Sequence, residues 1–180
     1  RGVHAEVVAL LLDAGADPRL GNAPPERDGD TALHAVSGHG GSVTVVVAMG
    51  ERIVKLLLEK GSDPGARNRN GATALHFAAS ERPELAKLLL DAGTPADAAD
   101  RNGSTPLHRA VQGRQVALVR VLLERGANVN AEELGGVTPL LIARDNGDRE
   151  LEQLLASRGG RINQAYYLKR EAFKLLHSAP

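Results

Sequence analysis

The sequence predicts an all-α fold, a solenoid of stacked helix-turn-helix units with β-hairpin-like fingers, and three observations predict it. First, a Thr-x-Leu-His spelling recurs at Thr31, Thr73 and Thr105 and again at Thr138, where Leu141 replaces the histidine. The step from Thr73 to Thr105 and the step from Thr105 to Thr138 agree within one position, and the step from Thr31 to Thr73 is longer. Second, each is followed by a leucine-rich run that stops at a glycine: Gly61, Gly93, Gly126 and Gly159. Third, polar stretches such as Arg67-Asn-Arg-Asn-Gly71 and Asp100-Arg-Asn-Gly103 separate one unit from the next.

In chain order, residues 1–18 read as half a unit. Glu6 to Gly15 spells the leucine-rich helix, but no Thr-x-Leu-His precedes it, and a full unit would need that threonine before Arg1. Because the chain opens on Arg1 rather than Met, a missing native amino terminus is the expectation. The stretch from Gly15 to Thr31 is longer than its later counterparts, Gly61 to Thr73 and Gly93 to Thr105, and Pro24-Pro25 stiffens it. A mobile loop and a partner contact both fit that composition. Unit 29–61 is longer between Thr31 and Gly61 than the later units are between the same landmarks, which places an insertion near Ser37 to Gly50. In the preferred reading Ser42 caps an elongated second helix that continues through the valines into Glu51. In the other, Val45 to Gly50 closes one helix and Glu51 to Lys60 forms an extra one. The β-branched valines weaken helix propensity without forbidding it on a buried face.

Regular units follow at 71–93, 103–126 and 136–160. Arg144, Asp145, Asn146, Gly147 and Asp148 make the last one more polar, as a terminal unit should be. Residues 161–180 extend past it, with Gln164 to Leu176 predicted as a helix whose Ala165, Leu168, Ala172, Leu175 and Leu176 lie near one apolar face. This segment reads as a cap on the last unit or as a linker helix leading to another domain or a partner.

The spelling has physical reasons. A threonine before a helix accepts an orphan backbone N–H, and proline next to it fits the first turn. Alanine lets neighbouring helices approach, and leucines at helical spacing bury one face. The glycine after the leucine run supplies a left-handed residue that ends the helix. Gly103-Ser-Thr-Pro-Leu-His-Arg-Ala-Val111, followed by Val119-Arg-Val-Leu-Leu-Glu-Arg-Gly-Ala-Asn-Val-Asn130, resembles the ankyrin repeat, and the resemblance covers residues 3 to 160. No unit of this kind buries its apolar face alone, so stacking makes the core.

Composition excludes several functions. Lys plus Arg number 22 and Asp plus Glu 22, so no dedicated nucleic-acid or anionic-membrane surface is expected. Aromatics are 2%, too few for base-stacking platforms. The absence of cysteine removes disulfides, thiolate zinc sites and cysteine nucleophiles. The longest apolar run, Val7 to Leu12, is far short of the roughly 20 residues a bilayer demands, and no signal peptide is visible. A soluble, intracellular monomer is the expectation.

His34, His76 and His108 hold equivalent places in successive units. Helix layers stand about 8–10 Å apart whereas zinc ligands lie about 2.0–2.1 Å from the ion, so these histidines cannot share a metal. Their expected role is to bond backbone and threonine groups within their own units. The glycine run after His34 and His39 gives no rigid metal half-site, and without a Gly-Lys-Ser/Thr ending it is no phosphate cradle. Asp28-Gly-Asp30 and Asp100-Arg-Asn102-Gly are too short for a calcium loop. No nucleophile, base and orienter converge, so no catalytic residue, metal or cofactor is expected, and the chain is not read as an enzyme.

What remains is recognition of another protein or peptide. The resemblance implies contact through finger tips and the concave face of the short helices. Carried onto this sequence, the candidate residues are Arg67, Arg69 and Asn70, then Arg101, Asn102 and Ser104, then Glu132 and Leu134, with Glu81, Gln112 and Asp145 from the helices. Charge passes along this row from basic to acidic, which suits a partner of mixed charge. Two rivals stand beside it: an accessory or regulatory domain of a larger multidomain enzyme, and a ligand sensor beside the Ser37 to Gly50 insertion. The resemblance also implies that a finger asparagine, Asn130, is either a hydroxylation target or simply a stabiliser of its turn.

Overall fold

The computed structural model describes residues 9–20, 29–38 and 45–177. Helix α1 is seen over 9–13; then come α2 (Ala32–Gly38) and α3 (Val45–Glu59), α4 (Ala74–Glu81) and α5 (Pro83–Asp91), α6 (Pro106–Gln112) and α7 (Val116–Glu124), α8 (Pro139–Asp145) and α9 (Arg149–Ser157), and finally α10 (Gln164–His177). Each of the four pairs from α2 to α9 is one unit: a short inner helix packed on a longer outer one. Inner helices α2, α4, α6 and α8 stack in a row, and so do the outer helices α3, α5 and α7. Among the described residues there is no strand.

The repeated spelling becomes a repeated core. Leu33, Leu75, Leu107 and Leu140, each two residues after its threonine, are all buried. Facing them from the outer helices are Leu57, Leu89, Leu122 and Leu155, each buried as well. Burying a leucine stabilises by about 1.5–3 kcal/mol, so these residues carry much of the core. Polar groups complete the outer edge: the Thr94 hydroxyl donates to the Pro64 carbonyl at 3.1 Å, one unit back. The outer helices stop where glycine adopts a left-handed φ, 95° at Gly93 and 88° at Gly126. The next residue then donates back to the helix, from Thr94 N–H to Leu89 at 3.0 Å and from Ala127 N–H to Leu122 at 2.9 Å.

Close approach of the inner helices has a backbone cause. A Cβ at Gly113 would overlap the Ser80 carbonyl oxygen, so only glycine allows the end of α6 to sit against the end of α4. Gln115 spans the same junction, donating from Nε2 to that carbonyl at 3.2 Å. Arg82, buried at the turn from α4 to α5, reaches the preceding unit and donates from Nη1 to the Val36 carbonyl at 2.7 Å. This satisfies a carbonyl near the end of α2 that the helix itself cannot pair.

The insertion resolves in favour of one elongated helix. α3 runs 15 residues without a break at Gly50, which is buried against Leu85. The proposed Ser42 cap, His39 and the Pro24-Pro25 segment lie outside the described residues.

α10 touches the last finger at its start and the end of α8 at its middle. Its Tyr166 ring meets Gly135, Asn163 donates to Glu132 at 3.1 Å, and Arg170 makes a two-pronged ion pair with Asp145. The Arg144 guanidinium stands 5.7 Å from the centre of the Tyr167 ring. Leu168 and Phe173 nevertheless remain 64% and 61% exposed.

Candidate protein-interaction surface

Two of the three fingers begin with a side chain that folds its own turn. Asn68 Oδ1 accepts from the N–H groups of Asn70 and Ala72, both at 3.0 Å, and Asp100 Oδ1 accepts from Asn102 and Ser104 at 2.8 and 3.0 Å. A backbone bond then closes each finger at its base: Asn68 N–H to Ala72, Asp100 N–H to Ser104 and Glu133 N–H to Val137, at 2.9, 2.8 and 2.9 Å. These hairpins are too short to count as strands; only Glu133 and Val137 form a β-bridge. Neighbouring fingers are tied tip to tip by main-chain bonds, Arg101 N–H to the Asn70 carbonyl at 2.8 Å and Leu134 N–H to the Asn102 carbonyl at 2.7 Å.

The histidines fix the finger bases. In each of three units the ring Nδ1 accepts from the threonine N–H, at 3.1 Å for His34, 3.0 Å for His76 and 3.2 Å for His108. With Nδ1 an acceptor, the neutral ring carries its proton on Nε2. That proton is donated across the unit boundary, to the carbonyls of Ala72, Ser104 and Val137 at 2.9, 3.1 and 3.2 Å. Those are the same carbonyls that close the next finger. The expectation of bonds within one unit therefore describes half of the arrangement; the other half joins units. Burial is the main reason that His76 is pushed down to about 4, and it lowers His108 too, against an opposing pull from the Glu133 carboxylate. In the last unit, where Leu141 stands in the histidine position, the Thr138 hydroxyl accepts from Leu141 N–H and lies 2.8 Å from the Arg161 carbonyl, to which it donates.

Against this frame the candidate residues separate. Arg69, Asn70, Arg101 and Asn102 are exposed on two adjoining fingers, and Glu132 and Leu134 on the third, with Leu134 71% exposed. Glu81 and Gln112 are exposed at the ends of α4 and α6. Arg67 is exposed but occupied: its Nη1 donates to the Gly71 and Ala99 carbonyls at 2.8 and 2.7 Å, bracing one finger on the next. Ser104 is buried, and its hydroxyl donates to Glu133 at 2.7 Å, so it is not a surface residue. The residue after a finger glycine lies at the base rather than the tip, which is why its polarity misleads. Asp145 is drawn into the contact with α10 and stands apart from the finger tips.

Asn130 uses both ends of its amide on the following turn, donating to Gly159 at 3.1 Å and accepting from Arg161 N–H at 2.7 Å. This is the turn-stabilising role. Sequence reading missed Arg82 and Gly113, because each acts through a carbonyl in another unit. A buried-position arginine after a helix was the available signal for the first.

Stacked helix pairs with linked fingers define a helical-repeat solenoid. Residues 44–133, half of the chain, match the model of ankyrin repeats in three copies, and the chain belongs to that family. Ankyrin repeats generally mediate contacts between proteins, and domains built from them are typically non-catalytic. Over 86 residues, 48% of this chain, it is 40% identical to the zygote-specific protein 3 of Chlamydomonas reinhardtii. The aligned segment makes up 19% of that protein, so the match concerns about a fifth of the relative. Among the described residues, no helix is long and apolar enough to cross a membrane.

Proposed function

We propose that this chain is a non-catalytic binding module that holds a partner protein or peptide along its finger row, with residues 1–160 as the repeat body and 161–180 as its carboxyl-terminal cap. The observation that carries the reading is the pair of main-chain bonds between finger tips, which makes three separate turns one fixed surface. On it Arg69 and Arg101 stand at one end and Glu132 at the other, a layout that favours a partner of mixed charge and sets its register. The partner-contact residues of this reading are Arg69, Asn70, Arg101, Asn102, Glu132 and Leu134, with Glu81 and Gln112 on the concave side.

The test is to recover a partner with the full-length protein and measure its affinity for the Arg69→Glu/Arg101→Glu variant across a salt series. Affinity should fall about tenfold or more, and its salt dependence should flatten. Unchanged affinity and salt dependence would move the contact to another surface. Arg67 is left out of this variant because its guanidinium braces the fingers. The relative, in which the matching segment is a minor part, favours a second reading as an accessory or regulatory module of a larger protein, and a full-length gene sequence decides it.

A further inference from the structure

The finger row has an open end. Two rungs follow one rule: the carbonyl before the finger glycine, at Asn70 and at Asn102, accepts the N–H at the second finger position of the next unit. The equivalent carbonyl in the last finger belongs to Gly135. Among the described residues nothing donates a hydrogen bond to it, and Gly135 is exposed. The reason is in the chain's path. Earlier units leave room for a finger between the helix-ending glycine and the next threonine, as from Gly93 to Thr105, whereas α10 already starts at Gln164, soon after Gly159. A helix therefore follows the last unit directly, with no finger in front of it.

The missing finger leaves a groove of ≈ 590 Å³ between the last finger and α10. Gly135 and Gly136 form one wall, and Ala165, Tyr166 and Phe173 line the other side. We propose that this groove takes an extended peptide segment of a partner protein, which adds a rung to the finger row by donating a backbone N–H to the Gly135 carbonyl and setting an apolar side chain into the groove. Both existing rungs are main chain to main chain, so the site selects an extended backbone first and a side chain second, the logic of strand addition. The groove holds a short length of chain and no folded domain. The inference deepens the binding-module reading and moves it to a second surface. Failure here leaves the Arg69/Arg101 experiment untouched, and the reverse also holds.

The probe is a blocked peptide with the sequence of residues 131–138, which makes this rung against the preceding finger within the chain itself. It is titrated into the isotope-labelled full chain while backbone amide shifts are followed. Saturable shifts at Gly135, Gly136 and Tyr166 are expected, and methylating the backbone nitrogen of the peptide leucine should weaken binding about tenfold, the loss of one hydrogen bond. Ala165→Trp, which fills the groove from an exposed position on α10, should abolish the shifts while the rest of the spectrum stays in place. Equal binding of the methylated peptide, no shift at millimolar peptide, or shifts at other fingers would overturn the proposal. So would shifts that follow protein concentration alone, because a second copy would then be the occupant.

Discussion

His76 is neutral in the folded chain because its Nδ1 must accept the Thr73 N–H and because the ring is buried. In the unfolded chain the same ring takes a proton near pH 6.5. The unfolded state therefore binds more protons between pH 6.5 and about 4, and stability rises with pH over that window. The contribution is complete above pH 6.5 and is lost as the pH falls through about 4; it amounts to about 3 kcal/mol for His76, with His108 acting in the same direction. Urea denaturation at pH 7.0 and pH 4.5 should show the loss, and His76→Gln should make the profile shallower. The structural role of these histidines was legible from their identical register in three units. Their bonds across the boundary were not, because a sequence does not say how far the next unit is displaced. The same blindness put Ser104 on the surface and left Arg67 free.

At the scale of elements, Gly113 sets how closely α6 meets α4. Gly113→Ala would drive a methyl into the Ser80 carbonyl, and neither backbone can yield without moving a helix. A loss of about 3 kcal/mol or more is expected, measured as a drop in the urea midpoint with an unchanged slope. The pair between Asp145 and Arg170 is different, with side chains 38% and 25% exposed. Asp145→Asn should cost less than about 1 kcal/mol of global stability. Its effect belongs in the amide exchange of α10, which should rise while α4 to α7 keep their protection. Helix positions and ends could be read from threonine, proline, leucine and glycine alone. The unbroken course of α3 could only be preferred, since valines and Gly50 argue locally against what burial on Leu85 decides.

Across the whole molecule, stability is shared between neighbours, so the place of a lesion matters as much as its size. Leu89→Ala in α5 and Leu155→Ala in α9 each remove a fully buried side chain, at a cost of about 2–5 kcal/mol. Leu155→Ala should raise amide exchange in α8 and α9 and spare α4 and α5, whereas Leu89→Ala should be felt on both sides of its unit. The period, the order of units and the core leucines were all plain in the sequence because each unit repeats the same local rules. Where the finger row ends, and what α10 lies against, were not, because both depend on a docking geometry that no repeat encodes. The imidazole bonds have one more consequence. They land on Ala72, Ser104 and Val137, three unlike residues, because the acceptor is always a peptide oxygen. A copy of one module inserted beside another meets a compatible seam whatever its spelling, so lineages of such genes can lengthen, shorten or shuffle by duplication without rewriting the join.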